Sequence, residues 1–255
     1  MAFASPVFSQ LQPTNEDGVA MGHVHLNISE ADYDQHRKLW IEGLGARAVM
    51  LGPKEILLLP DIAILIEKRD PAGGSEGTTI NHLAFMAKDR DPLEQRWKEL
   101  GGEIYPLPPE DTRLFLRFPG DVRVEVNEDP SLDVPLKHDH VHFFTESVDD
   151  IQAWYVKMLA AKPGIFKSFK VADVPGGNLR FSGQQTPPVG TKGRSLDHIG
   201  FEIDGLEAFC KQLEAKGVKF DRPYSYIERL DVSIAFFTDP WGTYIELTEG
   251  LDRLK

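Results

Sequence analysis

The sequence predicts an α+β fold in which one strand–helix–strand–strand–strand unit is repeated four times. Four histidines recur at intervals of 59, 58 and 58 residues, each in a short apolar run with the alternation of a half-buried strand: His23, His82, His140 and His198. A helix-start signal, a helical periodicity and a glycine follow each run. The small number of helices and the antiparallel strand runs exclude a doubly wound parallel sheet and a four-helix bundle.

Each unit supports this prediction in turn. At the helix starts a capping oxygen stands three residues before a carboxylate, in Ser29–Asp32, Asp91–Glu94, Ser147–Asp150 and Asp204–Glu207. Glycines are expected to end the helices, namely Gly45, Gly101 with Gly102, Gly164 and Gly217. Further strand-like runs follow each glycine. The third unit differs from the others because its last strand carries no glutamate, and Ser182, Gly183 and Gln184 stand at the expected position.

The domain organisation follows from pairing consecutive units. Residues 1–20 form an N-terminal arm, residues 21–130 the first pair of units, and residues 131–255 the second pair. Segments Ala72–Gly77 and Glu128–Lys137 are predicted linkers, and the second is expected to join the two halves. Ala2, Phe3 and Ala4 resemble the end of a signal-peptide cleavage site. The expected location is the cytoplasm by default, or the periplasm or exterior if a signal has been removed.

Composition excludes several classes of function. The 255 residues include 28 basic and 40 acidic side chains, a formal net charge of −12, which argues against nucleic acid or an anionic membrane surface as partner. No apolar stretch approaches the roughly 20 residues of a membrane span. Cys210 is the only cysteine, so an internal disulfide and a cysteine-rich metal site are both excluded, and a buried small hydrophobe is the expected role of this residue.

The repeated histidines are candidate metal ligands. A single histidine in an apolar strand is normally a hydrogen-bonded core or surface residue, but four in register with strand-end glutamates favour a metal site. With consecutive units paired, the first half collects His23, Glu67, His82 and Glu125, and the second collects His140, His198 and Glu246. Imidazole and carboxylate ligands suit iron(II), manganese, nickel or zinc. Glu67 and Glu125 also allow a simpler interpretation as surface ion pairs.

Two motifs resemble the vicinal oxygen chelate superfamily, which includes glyoxalase I, extradiol dioxygenases and bleomycin-resistance proteins. They are Leu196–Phe201 (Leu-Asp-His-Ile-Gly-Phe) and Thr238–Leu247 (Thr-Asp-Pro-Trp-Gly-Thr-Tyr-Ile-Glu-Leu), with weaker echoes at Asp139–Phe143 and Asn81–Phe85. The resemblance implies βαβββ units paired into two curled, cupped mixed sheets. It also implies one divalent metal held by His140, His198 and Glu246.

The resemblance implies a Lewis-acid role for the metal, which chelates two neighbouring oxygens of a small substrate. Glu246 and His142 are the predicted catalytic residues, and His142 acts either as a hydrogen-bonding support or as a base. Strand alternation places Glu202 and Tyr244 on the same cupped face as His142. Arg180 and Arg229 are candidates to bind a substrate carboxylate, although a solvated arginine is the simpler interpretation.

Three functions remain open. The preferred one is a metal-dependent lyase or isomerase of the glyoxalase type acting on a small oxygen-rich molecule. The second is an extradiol-type dioxygenase, which the sequence disfavours because Phe236 stands where that family has tyrosine and residues 178–197 contain no histidine. The third is a non-catalytic protein that sequesters a drug-like ligand on aromatic side chains, namely Trp154, Tyr155, Phe166 and Phe169, which are otherwise core residues. The expected partner is a small-molecule substrate, and the chain is a monomer or a homodimer.

Overall fold

The computed structural model describes residues 11–108, 111 and 113–254 and contains all four predicted units. The cleavage-site resemblance at residues 2–4 lies outside the described residues. The first unit comprises β1 (Val19–Ile28), α1 (Tyr33–Lys38) with a π-helical turn (Leu39–Gly43), β2 (Arg47–Leu51), β3 (Lys54–Leu59) and β4 (Ile62–Lys68). The second comprises β5 (Ile80–Ala87), α2 (Arg90–Glu99), β6 (Glu103–Ile104), β7 (Leu114–Phe118) and β8 (Val122–Glu128).

The third and fourth units have the same order of elements. The third comprises β9 (Leu136–Thr145), α3 (Val148–Leu159), β10 (Lys162–Phe166), β11 (Phe169–Val174) and β12 (Gly177–Gly183). The fourth comprises β13 (Leu196–Ile203), α4 (Leu206–Ala215), β14 (Phe220–Ile227), β15 (Val232–Thr238) and β16 (Tyr244–Glu249). Short 3₁₀ turns occupy Pro119–Asp121 and Leu251–Arg253. The α+β prediction with four βαβββ units is therefore confirmed.

The units form two eight-stranded mixed sheets. The expected pairing of the first unit with the second, and of the third with the fourth, is wrong. Sheet I has the order β14-β15-β16-β13-β1-β4-β3-β2 and joins the first unit to the fourth. Sheet II has the order β10-β11-β12-β9-β5-β8-β7-β6 and joins the second to the third. At each centre two first strands run antiparallel, β1 with β13 and β5 with β9. The division at residue 130 therefore does not separate the sheets.

The linkers have different roles from those expected. Ala72–Gly77 joins units that lie in different sheets, and residues 184–195 return the chain from sheet II to sheet I. Glu128–Lys137, expected to join two halves, connects β8 to β9 within sheet II. All four first strands carry a histidine in an apolar run, so this pattern does not distinguish their possible partners.

The helix ends are stabilised partly by tertiary contacts. None of the four described α-helices has a side-chain hydrogen bond from its own N-cap residue. Instead, strand-end glutamates accept the free amides: Glu128 accepts from the Arg90 N–H (3.2 Å), and Glu249 from the N–H groups of Gly205 (3.1 Å) and Leu206 (3.3 Å). Gly164 does not end α3 but lies in β10, because Ala160 takes the left-handed conformation (φ 51°) at the helix end.

One face of each sheet is apolar and packs on the helices. In β13, Ile199, Phe201 and Ile203 belong to the main core together with Leu206 and Phe209 of α4. Strand alternation sends His198 and Gly200 to the opposite, concave face. The histidine-bearing face of each sheet forms a cup. In sheet I this face also carries a second, smaller apolar cluster that includes Ile56, Leu58 and Ile234, and a cavity remains beside it.

Other features agree with a compact core. Cys210 is buried, and burial raises the pKa of its thiol to about 11, as expected for a structural residue. Tyr155 is a core side chain and Trp154 packs against the core, whereas Phe169 and Phe166 line a cavity on sheet II. Within the described ranges, the helices are too short or too polar to cross a membrane.

Candidate functional site

Each sheet holds three histidines and one glutamate in its cup, in matching positions. Cup I, on sheet I, contains His23 and His25 from β1, His198 from β13 and Glu246 from β16. Cup II, on sheet II, contains His140 and His142 from β9, His82 from β5 and Glu125 from β8. The register repeats as well: His25 faces His198 and Glu246 faces Gly200 in cup I, while His142 faces His82 and Glu125 faces Ala84 in cup II.

Four β-bulges aim the histidines into the cups. Each register shift at the sheet centres leaves one residue unpaired directly before a histidine, and these residues are Gly22, Asn81, Asp139 and Asp197. A bulge turns the following side chain and is common beside functional sites. Three of the four bulge side chains accept a hydrogen bond from Nδ1 of the next histidine: Asp197 from His198 (2.6 Å), Asn81 from His82 (2.8 Å) and Asp139 from His140 (2.7 Å).

In cup I two imidazoles converge on one carboxylate oxygen. Nε2 of His23 and Nε2 of His198 both lie 2.9 Å from Oε2 of Glu246. Burial favours the neutral form of Glu246, but the neighbouring His23 and His198 outweigh it and hold the pKa of this carboxyl well below its usual range. Burial likewise opposes the charge on His198, yet its bonds to Asp197 and Glu246 raise the pKa above the ordinary value. The raised pKa of His198 favours an imidazolium paired with the ionised carboxylate of Glu246.

In cup II the same arrangement is built around Glu125. Oε2 of Glu125 lies 3.1 Å from Nε2 of His82 and 3.5 Å from Nε2 of His140. Burial lowers the pKa of His82 to about 4, and burial with the nearby His82 and His140 lowers that of His142 to about 2. Burial disfavours the charged form of Glu125, but the His82 contact still lowers its pKa. Neutral imidazoles beside an ionised carboxylate are ready-made ligands for a divalent cation.

The structure divides the predicted metal ligands between the cups. His198 and Glu246 lie together as expected, but their third partner is His23, and His140 lies with Glu125 in cup II. The physical reason is the pairing of the first unit with the fourth. The grouping of His23, Glu67, His82 and Glu125 is also wrong. Glu67 lies opposite Asn27, two residues beyond the cup, and pairs with Lys54 at 3.1 Å as a half-exposed surface residue.

The position left open on the third unit is occupied by an arginine. Opposite His142 on β12 lies Arg180, where sheet I has Leu65 opposite His25. Ser182 lies two residues farther along and bonds Nε2 of His142 at 2.7 Å. Gln184 lies outside the cup, where its amide donates to the carbonyl of Thr186. The fourth corner of each cup therefore has no ligand-type side chain among the described residues.

The remaining predicted residues have mixed placements. Glu202 does not reach the cavity; it accepts hydrogen bonds from Thr248 (2.7 Å) and from the N–H groups of Gly250 and Leu251, and so holds the C-terminal turn. Tyr244 lies beside His198, with ring centroids 5.5 Å apart, and stacks on Phe236. Arg229 is an exposed residue at the rim of cup I.

Sequence reasoning missed the second histidine of cup I. The ring centroid of His25 lies 4.6 Å from that of His198, and burial lowers its pKa well below the ordinary value. The available signal was its position two residues after His23, which puts both side chains on one strand face. The orienting roles of Asn81, Asp139 and Asp197 were missed too, because a bulge is not visible in a hydrophobic pattern.

Both cups fit a divalent metal. The donor sets combine imidazole and carboxylate and are buried, and their ligand atoms lie within 4.8 Å of one another in each of two groups: His23, His198 and Glu246, and His82, Glu125, His140 and His142. Polar ring atoms are also left over in cup II, since Nε2 of His140 and Nδ1 of His142 have no hydrogen-bond partner among the described residues. Such unpartnered buried nitrogens are costly unless they gain a partner, and a metal ion would be one.

Comparison with known proteins agrees with this geometry. Residues 163–247 match the Glyoxalase/Bleomycin resistance protein/Dioxygenase superfamily. This match covers a third of the chain. The match includes β13 with His198 and the part of β16 that carries Glu246. Together with the fold it supports a member of the vicinal oxygen chelate superfamily, which confirms the resemblance seen in the sequence. The comparison with curated proteins gives no match.

Solved structures with the superfamily's fold cover almost the whole chain. Glyoxalase I from Zea mays aligns with a TM-score of 0.71 at 19% identity over 92% of this chain and 94% of that one. Its V278E variant aligns with a TM-score of 0.73 at 18% identity over 93% and 95%. A protein of Bacillus subtilis proposed to be a dioxygenase aligns with a TM-score of 0.65 at 13% identity over 92% and 86%. At these identities the likeness establishes the fold.

Proposed function

We propose that this chain is a divalent-metal-dependent enzyme of the lyase or isomerase type that acts on a small oxygen-rich substrate. The observation that carries the proposal is that imidazole Nε2 atoms converge on one carboxylate oxygen in each cup. In three of these rings, Nδ1 donates a hydrogen bond to the bulge residue that precedes the histidine. The proposed ligands are His23, His198 and Glu246 in cup I, and His82, Glu125 and His140 in cup II. His142 is the fourth ligand-type side chain of cup II.

A bound divalent metal would supply Lewis acidity to two neighbouring substrate oxygens. The protein's own residues would fix the ligand geometry and exclude water. Asp197, Asn81 and Asp139 hold the imidazole rings in the orientation that points Nε2 into the cup. In cup I, Leu65 and Phe236 belong to an apolar wall around a cavity of about 230 Å³. Such a wall lowers the local polarity, which strengthens charge stabilisation on the substrate.

Glu246 and His142 remain our predicted catalytic residues. Glu246 is the carboxylate of cup I and would accept a proton from a bound substrate. His142 faces cup II with Nε2 bound to Ser182 and Nδ1 without a partner among the described residues, which suits either metal binding or support of the substrate. The two roles are separate, because these residues lie in different cups.

Hydrogen exchange at substrate carbon tests the reaction class. The metal-loaded protein is incubated in D₂O with dihydroxyacetone, which has a carbonyl and a hydroxyl oxygen on neighbouring carbons, and deuterium incorporation is followed by NMR. We expect exchange above the buffer rate, reduced by about 100-fold or more in Glu246→Gln or Glu125→Gln, whichever cup is active. Glu67→Gln is the matched control, because Glu67 is a strand glutamate outside the cups. Exchange at the buffer rate with metal-loaded wild type would contradict the lyase or isomerase proposal.

An extradiol-type dioxygenase is the second candidate, and cup I favours it. Two histidines and one carboxylate on one face are the ligand set of non-haem iron(II) oxygenases, and Leu65 leaves the fourth corner open. His25 stands beside His198 and supplies the additional histidine that the fourth unit lacks. Oxygen consumption by the iron(II)-loaded protein with catechol, in the absence of exchange activity, would favour this candidate over the first.

A further inference from the structure

The two cups differ most at their fourth corner. In cup I the corner residue is Leu65, and in cup II it is Arg180, each lying opposite the second histidine of the neighbouring strand. The imidazoles and the carboxylate are matched, with three histidines and one glutamate in each cup. At equivalent positions, cup I therefore has an apolar side chain and cup II a guanidinium.

Arg180 is held in place but has unused hydrogen-bonding capacity. It is only 7% exposed, and its guanidinium lies 4.3 Å from the ring centroid of Phe166 and 5.9 Å from that of Phe169. Its charged partner is Asp139, at 3.5 Å, and that carboxylate already accepts the closer hydrogen bond from His140 at 2.7 Å. Nε of Arg180 has no hydrogen-bond partner in the part of the chain that the structure describes. A buried guanidinium so placed lacks the bidentate acceptor that it binds best.

The rest of the cup II lining suits an anion with an aromatic or apolar body. The cavity measures about 460 Å³, within the usual range for small-molecule sites. Although the chain carries a net charge of −12, this lining has one more cationic than anionic side chain: Arg90, Arg113, Lys167 and Arg180 against Glu125, Glu128 and Asp139. Phe166 is 39% exposed and Phe169 lies beside it, so both rings offer apolar surface next to the guanidinium.

We propose that Arg180 binds the carboxylate of an organic-acid ligand in cup II, with the ligand's apolar or aromatic body against Phe166 and Phe169. This inference rests on the proposed function, since it names the class of substrate for one of the two cups. Cup I, with Leu65 at the same corner, has no buried guanidinium among its described lining residues and does not share this preference.

Calorimetric titration with benzoate tests the assignment. Benzoate carries a carboxylate on an aromatic ring, and benzamide is its neutral analogue of the same shape. Both are titrated into the full chain in metal-loaded and metal-free form. The main variant is Arg180→Leu, because leucine is the residue that the same fold accepts at this corner of cup I. Arg180→Lys keeps the charge without the planar fork, and Arg222→Leu removes an exposed rim arginine of cup I as the matched control.

We expect benzoate to bind wild type, and Arg180→Leu to raise its dissociation constant by about tenfold or more, with a smaller rise in Arg180→Lys. Benzamide binding in all variants and benzoate binding in Arg222→Leu should match wild type. Unchanged benzoate affinity in Arg180→Leu, or no benzoate binding by wild type in either form, would overturn the inference. Metal content is measured alongside. A chain that takes up no metal but binds benzoate through Arg180 contradicts the proposed function and supports the carboxylate site. A chain that takes up metal but does not bind benzoate through Arg180 supports the proposed function and overturns the carboxylate site.

Discussion

Replacing Gly200 with alanine is expected to remove metal binding from cup I while cup II keeps its metal. Gly200 lies opposite His23 in the β1–β13 register, and a Cβ atom at this position would collide with the ring atoms Cε1 and Nδ1 of His23. The ring must then turn away from Glu246. Loss of a ligand should weaken metal affinity in cup I by more than the 10- to 100-fold typical of losing a supporting residue. Overpacking should cost a further ~1–3 kcal/mol of stability.

The equivalent position in cup II provides the control. Ala84 lies opposite His140 and beside Glu125, so cup II accommodates a methyl group where cup I has none. Ala84→Gly should therefore leave metal binding in both cups unchanged and cost only about 0.5–1 kcal/mol of stability. Metal is titrated into Gly200→Ala and Ala84→Gly, and calorimetry measures the affinity of each variant for comparison with wild type. Wild-type affinity at both cups in this variant would show that His23 is not a ligand.

Replacing Asp239 with alanine is expected to lower the free energy of unfolding by about 3–5 kcal/mol. The buried carboxylate accepts hydrogen bonds from the hydroxyl of Tyr155 (2.9 Å) and from the N–H groups of Trp241 (2.9 Å) and Thr243 (2.7 Å). Tyr155 lies on α3 of the third unit, whereas Asp239 begins the turn between β15 and β16 of the fourth, so this network joins the two sheets. Alanine would leave three donors without an acceptor, two of them in buried hydrogen bonds and the third, the Trp241 N–H, in a partly buried one.

Urea denaturation of Asp239→Ala, Tyr155→Phe and Asp252→Ala measures this effect. Tyr155→Phe removes one donor and should cost about 1–3 kcal/mol. Asp252 is exposed, and its replacement should stay within about 0.5 kcal/mol of wild type. A loss below about 1 kcal/mol in Asp239→Ala would mean that the turn between β15 and β16 does not hold the two sheets together.

Local patterns predicted the units well but could not predict their partners. The histidine period and the strand alternation depend on neighbouring residues, so β13 with His198 and β16 with Glu246 are recovered from sequence alone. The pairing of β1 with β13 depends on where two linkers direct the chain, and each first strand carries a similar apolar edge. His140 was therefore assigned to the wrong cup.

Spacing along the chain also misled at Glu67. Glu67 precedes Glu125 by 58 residues, the same interval as the histidines, yet it lies opposite Asn27 and pairs with Lys54. The hairpins of the four units differ in length, so an equal spacing in sequence does not ensure an equal register in the sheet. The bulges before the histidines shift the register again, and these depend on the paired strand as much as on the bulged one.

The central claim is that each cup binds one divalent metal through its glutamate and histidines, and elemental analysis after reconstitution tests it most directly. The protein is purified without a chelating tag as wild type, Glu246→Gln, Glu125→Gln, the double variant and Glu67→Gln. We expect two metal equivalents in wild type and Glu67→Gln, one in Glu246→Gln and in Glu125→Gln, and none in the double variant. Wild type that takes up no metal, or full metal content retained in the double variant, would contradict it.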